Sequence, residues 1–154
     1  MPQQFIWIGD GRLAGLHPQQ LTAAIAGVPA GCDMLGPEVG RAGGWPNWYY
    51  EIHNGKDPQK VRFASRYYDV ANFVPLIKCP VLVGVGLRDE TCPPAGIIAA
   101  FNQIKSPKEI VILPKSGHFG APHEDPKTAA LFRELRSNEW MSDLVRGEPA
   151  PVQR

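Results

Sequence analysis

The chain has 154 residues, 44% of them apolar and 20% charged, with a net charge of +1. That is one globular domain with a modest core, and its near-neutral balance argues against nucleic acid or an acidic membrane surface as a partner. No apolar run approaches the roughly 18 residues of a membrane-spanning helix, and "MPQQFIWIGDG" lacks the basic start and long apolar stretch of a signal peptide, so the expected location is cytoplasmic.

"QFIWIG" (residues 4–9) is a short apolar run closed by glycine and predicts a strand. "LTAAIAGV" (21–28) runs into Gly-Val-Pro, which favours a strand over a helix. Residues 36–57, opening "GPEVGRAGGWPNWYYEIHNG", are aromatic and punctuated by Gly and Pro; they predict an irregular loop excursion with at most one short helical turn. Asp57 and Pro58 read as a helix start, a side-chain cap followed by proline in the first turn. This helix is expected within 57–77, with Val61, Ala64, Tyr68 and Val70–Ala71 as its apolar stripe and a break before Pro75. "CPVLVGVGL" (79–87) is almost wholly apolar without alternation, the pattern of a central parallel strand covered on both faces. "PPAGIIAAFNQI" (93–104) predicts a helix with Ile97, Phe101 and Ile104 on one face. "KEIVILP" (108–114) repeats the buried-strand signature, "SGHFGAPHEDP" (116–126) is a loop, and residues 125–146 predict a capped terminal helix with Leu131 and Leu135 one turn apart. Strands alternating with helices give an α/β domain spanning 1–154, in which a parallel sheet carries flanking helices and "QFIWIG" pairs in the same sheet.

In open α/β sheets, chemistry gathers beyond the carboxyl ends of the strands. Asp89 follows "VLVGVGL" and His118 follows "EIVILP", with one βαβ unit between them, so the two strand ends should be neighbours. A carboxylate beside an imidazole there could fix its tautomer and stabilise an imidazolium. Equally, Asp89 could cap a helix and His118 could belong to a glycine-rich loop; spacing alone leaves both readings open.

Residues 66–118 carry "DVANF", "IKCPVLVGVGL", "DETCPP", "AFN", "KEIV" and "GH" in one continuous stretch. This stretch resembles the C-terminal part of the acetyl xylan esterase and cephalosporin C deacetylase family of α/β-hydrolases. Residues 13–34 also resemble the segment after that family's nucleophile helix, although His17 stands where the family commonly has Asp in "G-L-D-P". The resemblance implies a partial α/β-hydrolase fold with the N-terminal half of the fold missing. It implies Asp89 as triad acid, His118 as triad base, an acetylated oligosaccharide or small acetyl ester as substrate, and no cofactor.

The family's nucleophilic Ser belongs in a G-x-S-x-G turn that precedes both acid and base. The only strand-then-glycine site upstream of Asp89 is "FIWIGDGRLAGL", which makes Gly9, Asp10 and Gly11 the remnant of that elbow, with Gly11 in the place of Ser. Only Arg12, Leu13 and Ala14 separate Gly11 from "GLHP", so roughly two or three turns of helix are expected to be absent. Ser65, Ser106, Ser116, Ser137 and Ser142 lie in helices or turns and offer no substitute. The chain therefore reads as a truncated or mis-spliced product, a fragment or a degenerate homologue, with an esterase's acid and base but no nucleophile.

Trp45 and Trp48 are candidate substrate contacts, a stacking platform for a sugar ring; aromatics also serve ordinary loop packing and the subunit contacts of a homo-oligomer. His118 and His123 match no zinc spacing, so no metal is expected. Cys32, Cys79 and Cys92 read as reduced core residues, because a strand places Cys79 and Cys92 about 25 Å apart, too far for a disulfide. Two further readings stay open: a non-catalytic α/β module that binds a partner chain through an uncovered sheet edge, and another serine hydrolase such as a peptidase.

Overall fold

The computed structural model describes residues 5–7, 12–46, 55–118 and 137–147. Four strands, β1 (Phe5–Trp7), β2 (Ala23–Gly27), β3 (Val81–Gly86) and β4 (Lys108–Leu113), form one sheet in the order β1-β2-β3-β4. Every pairing is parallel. The helices are α1 (Arg12–Leu16), α2 (Pro58–Ser65), α3 (Pro94–Gln103) and α4 (Ser137–Arg146), with short 3₁₀ turns at Gly36–Val39, Val70–Asn72 and Val74–Leu76.

β3 is central, in register with β2 (Ala24 opposite Val81) and with β4 along its whole length (Val81 opposite Lys108, Gly86 opposite Leu113). All six of its residues are buried, as its unbroken apolar run requires. Successive side chains alternate between two cores. Val81, Val83 and Val85 join Ala24 and Ala26 beneath α3, where Ile97, Ala100 and Ile104 pack with Phe101 at the margin. Leu82 joins Ala23, Ile25 and Leu113 on the opposite face, beneath Trp140 of α4. Burial of each fully enclosed Leu or Val contributes about 1.5–3 kcal/mol. Lys108, at the start of β4, reaches back to donate to the Phe101 and Asn102 carbonyls (2.9 and 3.3 Å), satisfying the end of α3.

Asp57 accepts from the Gln59 N–H and starts α2 as its residue type predicts. The helix ends at Ser65, however, ten residues short of Pro75 as numbered. Asp69 takes up an extended backbone (φ −69°, ψ 118°) and starts a separate 3₁₀ turn, so the helical register is lost there. Of the proposed stripe, Val70 is buried but Ala64 and Tyr68 are exposed. The expected loop excursion holds a 3₁₀ turn at Gly36–Val39, while residues 47–54 lie outside the described residues. Of the predicted terminal helix, Ser137–Arg146 is helical and residues 125–136 lie outside the described residues.

Candidate active site

Past Gly86 the chain leaves β3 in a tight turn, in which the Asp89 N–H donates to the Gly86 carbonyl at 3.2 Å. The Asp89 side chain is fully enclosed. Its Oδ1 accepts the backbone N–H groups of Thr91 (2.8 Å) and Cys92 (2.7 Å), just ahead of α3. Its Oδ2 lies 2.9 Å from Nδ1 of His118. The two readings of Asp89 thus coexist: one oxygen orders the approach to a helix and the other faces the imidazole.

The loop after β4 is held close to the turn after β3. Leu87 N–H donates to the Leu113 carbonyl (3.1 Å), and Arg88 N–H donates to the Ser116 carbonyl (2.9 Å). Gly86 permits that approach. A Cβ there would stand 2.6 Å from the Ser116 carbonyl oxygen and would also collide with the Gly117 carbonyl. His118 is then delivered to Asp89 with its side chain 32% exposed. A proton on Nδ1, donated to the carboxylate, leaves Nε2 with a free lone pair, the arrangement of a general base.

Trp45 reaches the same region through its backbone. Its N–H donates to the Thr91 carbonyl (2.8 Å) and its carbonyl accepts the Gly31 N–H (2.9 Å), while the residue is 56% exposed. Gly9, Asp10, Gly11 and Trp48 lie outside the described residues. His17 is exposed. All three cysteines are free and buried. Cys92, next to the Asp89 carboxylate, is no nucleophile: burial first, and the Asp89 charge second, push its thiol up to about 12, so it stays protonated at neutral pH. Among the described residues no three metal-ligating side chains cluster.

Sequence reasoning passed over two residues that shape this region. Gly86 reads as one more strand residue, and its role depends on a loop from beyond β4. Asp69 is buried (7% exposed), and its carboxylate accepts N–H groups from Asp33 (3.0 Å), Met34 (2.8 Å) and Ala71 (2.9 Å). Burial pushes its pKa upward, against the pull of those donors, and the Asp33 charge adds to the rise. The signal for Asp69 was present as the Asp of "DVANF".

Comparison with known proteins is consistent with these features. Residues 48–134 match the family model described as acetyl xylan esterase (AXE1). Over 106 residues the chain is 42% identical to the acetyl esterase Axe7A of Xylanibacter ruminicola, covering 69% of this chain and 24% of that protein. Acetyl xylan esterase 1 from Thermoanaerobacterium sp. JW/SL YS485 superposes with a TM-score of 0.62 at 26% identity, over 87% of this chain and 43% of that one. The acetyl xylan esterase from Paenibacillus sp. R4 gives the same TM-score at 24% identity, over 90% and 42%, a likeness of fold. The chain thus has part of an α/β-hydrolase fold and spans less than half the length of these relatives.

Proposed function

The chain belongs to the acetyl xylan esterase family, and from that premise we propose that it carries the acid–base half of an acetyl-ester hydrolase acting on acetylated sugars or related small acetyl esters. The observation that carries this reading is the 2.9 Å contact between His118 Nδ1 and Asp89 Oδ2 at the carboxyl ends of adjacent parallel strands. In acyl transfer, Nε2 of His118 takes the proton of an attacking hydroxyl and returns it to the leaving group, while Asp89 holds the tautomer and stabilises the imidazolium. The exposed Trp45 indole, anchored through Thr91 to the turn that holds Asp89, is the proposed stacking face for the sugar.

In this reading none of the described serines is the nucleophile: Ser65 Oγ donates to the Arg62 carbonyl, Ser116 and Ser137 are buried, Ser106 Oγ is enclosed, and Ser142 is exposed on α4. With Gly11 in the place of Ser, this chain is expected to lack measurable esterase activity, since loss of a triad nucleophile typically costs about 10⁶ in turnover. The test has two arms. Release of 4-nitrophenol from its acetate should be no faster with the chain than with His118→Ala; a rate well above that variant would reveal an unrecognised nucleophile working with His118. Calorimetric titration should show acetylated xylo-oligosaccharide binding more tightly than the deacetylated sugar, and absence of binding to either would remove the substrate assignment.

A second reading is favoured by the outer edge of β1, which among the described residues pairs with β2 alone. A non-catalytic module could take a strand from a partner chain along that edge. A monomeric mass by light scattering at high concentration would count against self-association there.

A further inference from the structure

We propose that Asp69 is a positioning residue of the candidate site, holding the loop that carries Trp45 against the turn that carries Asp89. The inference rests on the reading of Trp45 and Asp89 as parts of one substrate site, but its test requires no substrate.

Asp57 supplies the comparison. Both aspartates start helical turns with nearly the same backbone, φ −66° and ψ 117° at Asp57 against φ −69° and ψ 118° at Asp69. Asp57 is exposed and its side chain makes a single capping bond, from the Gln59 N–H. Asp69 makes the equivalent bond from the Ala71 N–H, yet it is buried and accepts two more from residues far back in the chain, Asp33 and Met34. Capping requires neither the burial nor the extra donors, and a carboxylate is costly to bury unless its oxygens are bonded.

The two extra bonds fall where the loop most needs restraint. Asp33 is held at φ +55°, in the left-handed region that non-glycine residues seldom occupy. From Val70, the residue after Asp69, hydrogen bonds run to Asp89. Val70 N–H donates to the Gly31 carbonyl (2.8 Å), Gly31 N–H to the Trp45 carbonyl (2.9 Å), and Trp45 N–H to the Thr91 carbonyl (2.8 Å). Thr91 N–H donates to Asp89 Oδ1 (2.8 Å). Asp33 also accepts two bonds from the Arg41 guanidinium (2.6 and 2.9 Å), which braces the loop across its 3₁₀ turn. Two carboxylates, Asp69 from beneath and Asp33 from within, thus set the course of residues 31–45.

The test is site-resolved amide exchange on Asp69→Ser. Serine keeps the short-range cap to Ala71 but cannot reach both Asp33 and Met34. Exchange at Trp45 and Thr91, neither bonded to Asp69, should then quicken by about tenfold or more, while Ala71 and the β3 amide of Val83 keep their wild-type rates. If Asp69 is only a cap, the serine variant will exchange like the wild type at Trp45 and Thr91, and the proposal fails. A uniform acceleration that includes Val83 would also overturn it, because it reports lost global stability. Should the serine variant not fold, the isosteric Asp69→Asn is the substitute: its one carbonyl oxygen can keep the Ala71 and Asp33 bonds but its amide nitrogen cannot accept from Met34, so exchange at Trp45 and Thr91 should again quicken while Ala71 and Val83 keep their rates, and unchanged exchange at Trp45 and Thr91 would overturn the proposal. Absence of sugar binding by the wild-type chain, with faster exchange at Trp45 and Thr91 in the serine variant, would strike the substrate reading and leave the positioning role intact.

Discussion

Replacing Gly86 by alanine tests whether close approach of two loops places the histidine. The new Cβ would sit 2.6 Å from the Ser116 carbonyl oxygen and nearer still to that of Gly117, whereas ordinary contact begins at 3.4 Å, so a displacement of at least about 0.8 Å is needed. β3 cannot supply it, because it is paired along both edges. The loop carrying Ser116, Gly117 and His118 must yield. Overpacking of this kind costs about 1–3 kcal/mol, and the strained Arg88–Ser116 bond adds about 1 kcal/mol if it breaks. The smaller conformational entropy of the unfolded alanine chain offsets roughly 0.4–1 kcal/mol. The expected net loss is about 1–3 kcal/mol by urea unfolding. The same shift would stretch the 2.9 Å contact between His118 and Asp89 to about 3.7 Å, beyond hydrogen-bond range. The downfield proton resonance of His118 Nδ1 should then disappear. Gly44→Ala is the control, since its Cβ is tight only against the Pro93 Cδ (3.3 Å), with the Thr91 and Cys32 carbonyl oxygens at ordinary contact distance (3.9 and 4.0 Å), and should cost less than about 0.5 kcal/mol. A Gly86→Ala protein as stable as the control, with the downfield resonance intact, would refute the argument that Gly86 sets the position of His118.

Two further outcomes are expected. The Cys92 thiol has a folded value of about 12 against an ordinary 9.0, so between those values the folded chain keeps a proton that the unfolded chain has released. Its contribution is complete below pH 9 and is lost as pH rises towards 12, at about 1.4 kcal/mol per unit. Urea unfolding from pH 8 to 11 should show a shallower alkaline loss in Cys92→Ala than in the wild type, and equal slopes would contradict the assignment. Trp140 is fully buried and its indole N–H meets no acceptor among the described residues. Trp140→Ala should cost about 3–5 kcal/mol, whereas Trp140→Phe should cost under about 2, because it also removes an unsatisfied donor. Equal costs in denaturation would mean that the N–H is satisfied.

Elements built from continuous apolar runs were legible in the sequence. Val81–Gly86 and Lys108–Leu113 form adjacent parallel strands because residues buried on both faces need no alternation, and Ile97, Phe101 and Ile104 share the face that α3 turns to the sheet. The carboxyl-end rule then made Asp89 and His118 neighbours without any knowledge of the loops, but a catalytic role for the pair came from the family resemblance and not from spacing. Long-range backbone bonds were not legible. Nothing in the spacing of residues 57–77 shows that Asp69 receives N–H groups from Asp33 and Met34, and that bonding goes with the end of the helix at Ser65. Val28 and Asp33 adopt positive φ although neither is glycine, a conformation that surrounding structure imposes and local propensity opposes.

The sheet order has a kinetic consequence. The hydrogen bonds described above for Asp89, His118 and their loops connect residues between Gly86 and His118, inside the module formed by β3, α3 and β4. Pairing β3 with β4 closes a connection over residues 87–107, whereas pairing β2 with β3 closes the longer one over residues 28–80. The longer closure costs roughly 1 kcal/mol more in chain entropy, before its contacts repay any of it. The acid and base therefore come together in the part of the chain able to nucleate first, and the Trp45 loop docks onto a pair already formed. In refolding followed by pulsed exchange, protection at Val83 and Val85 should precede protection at Trp45.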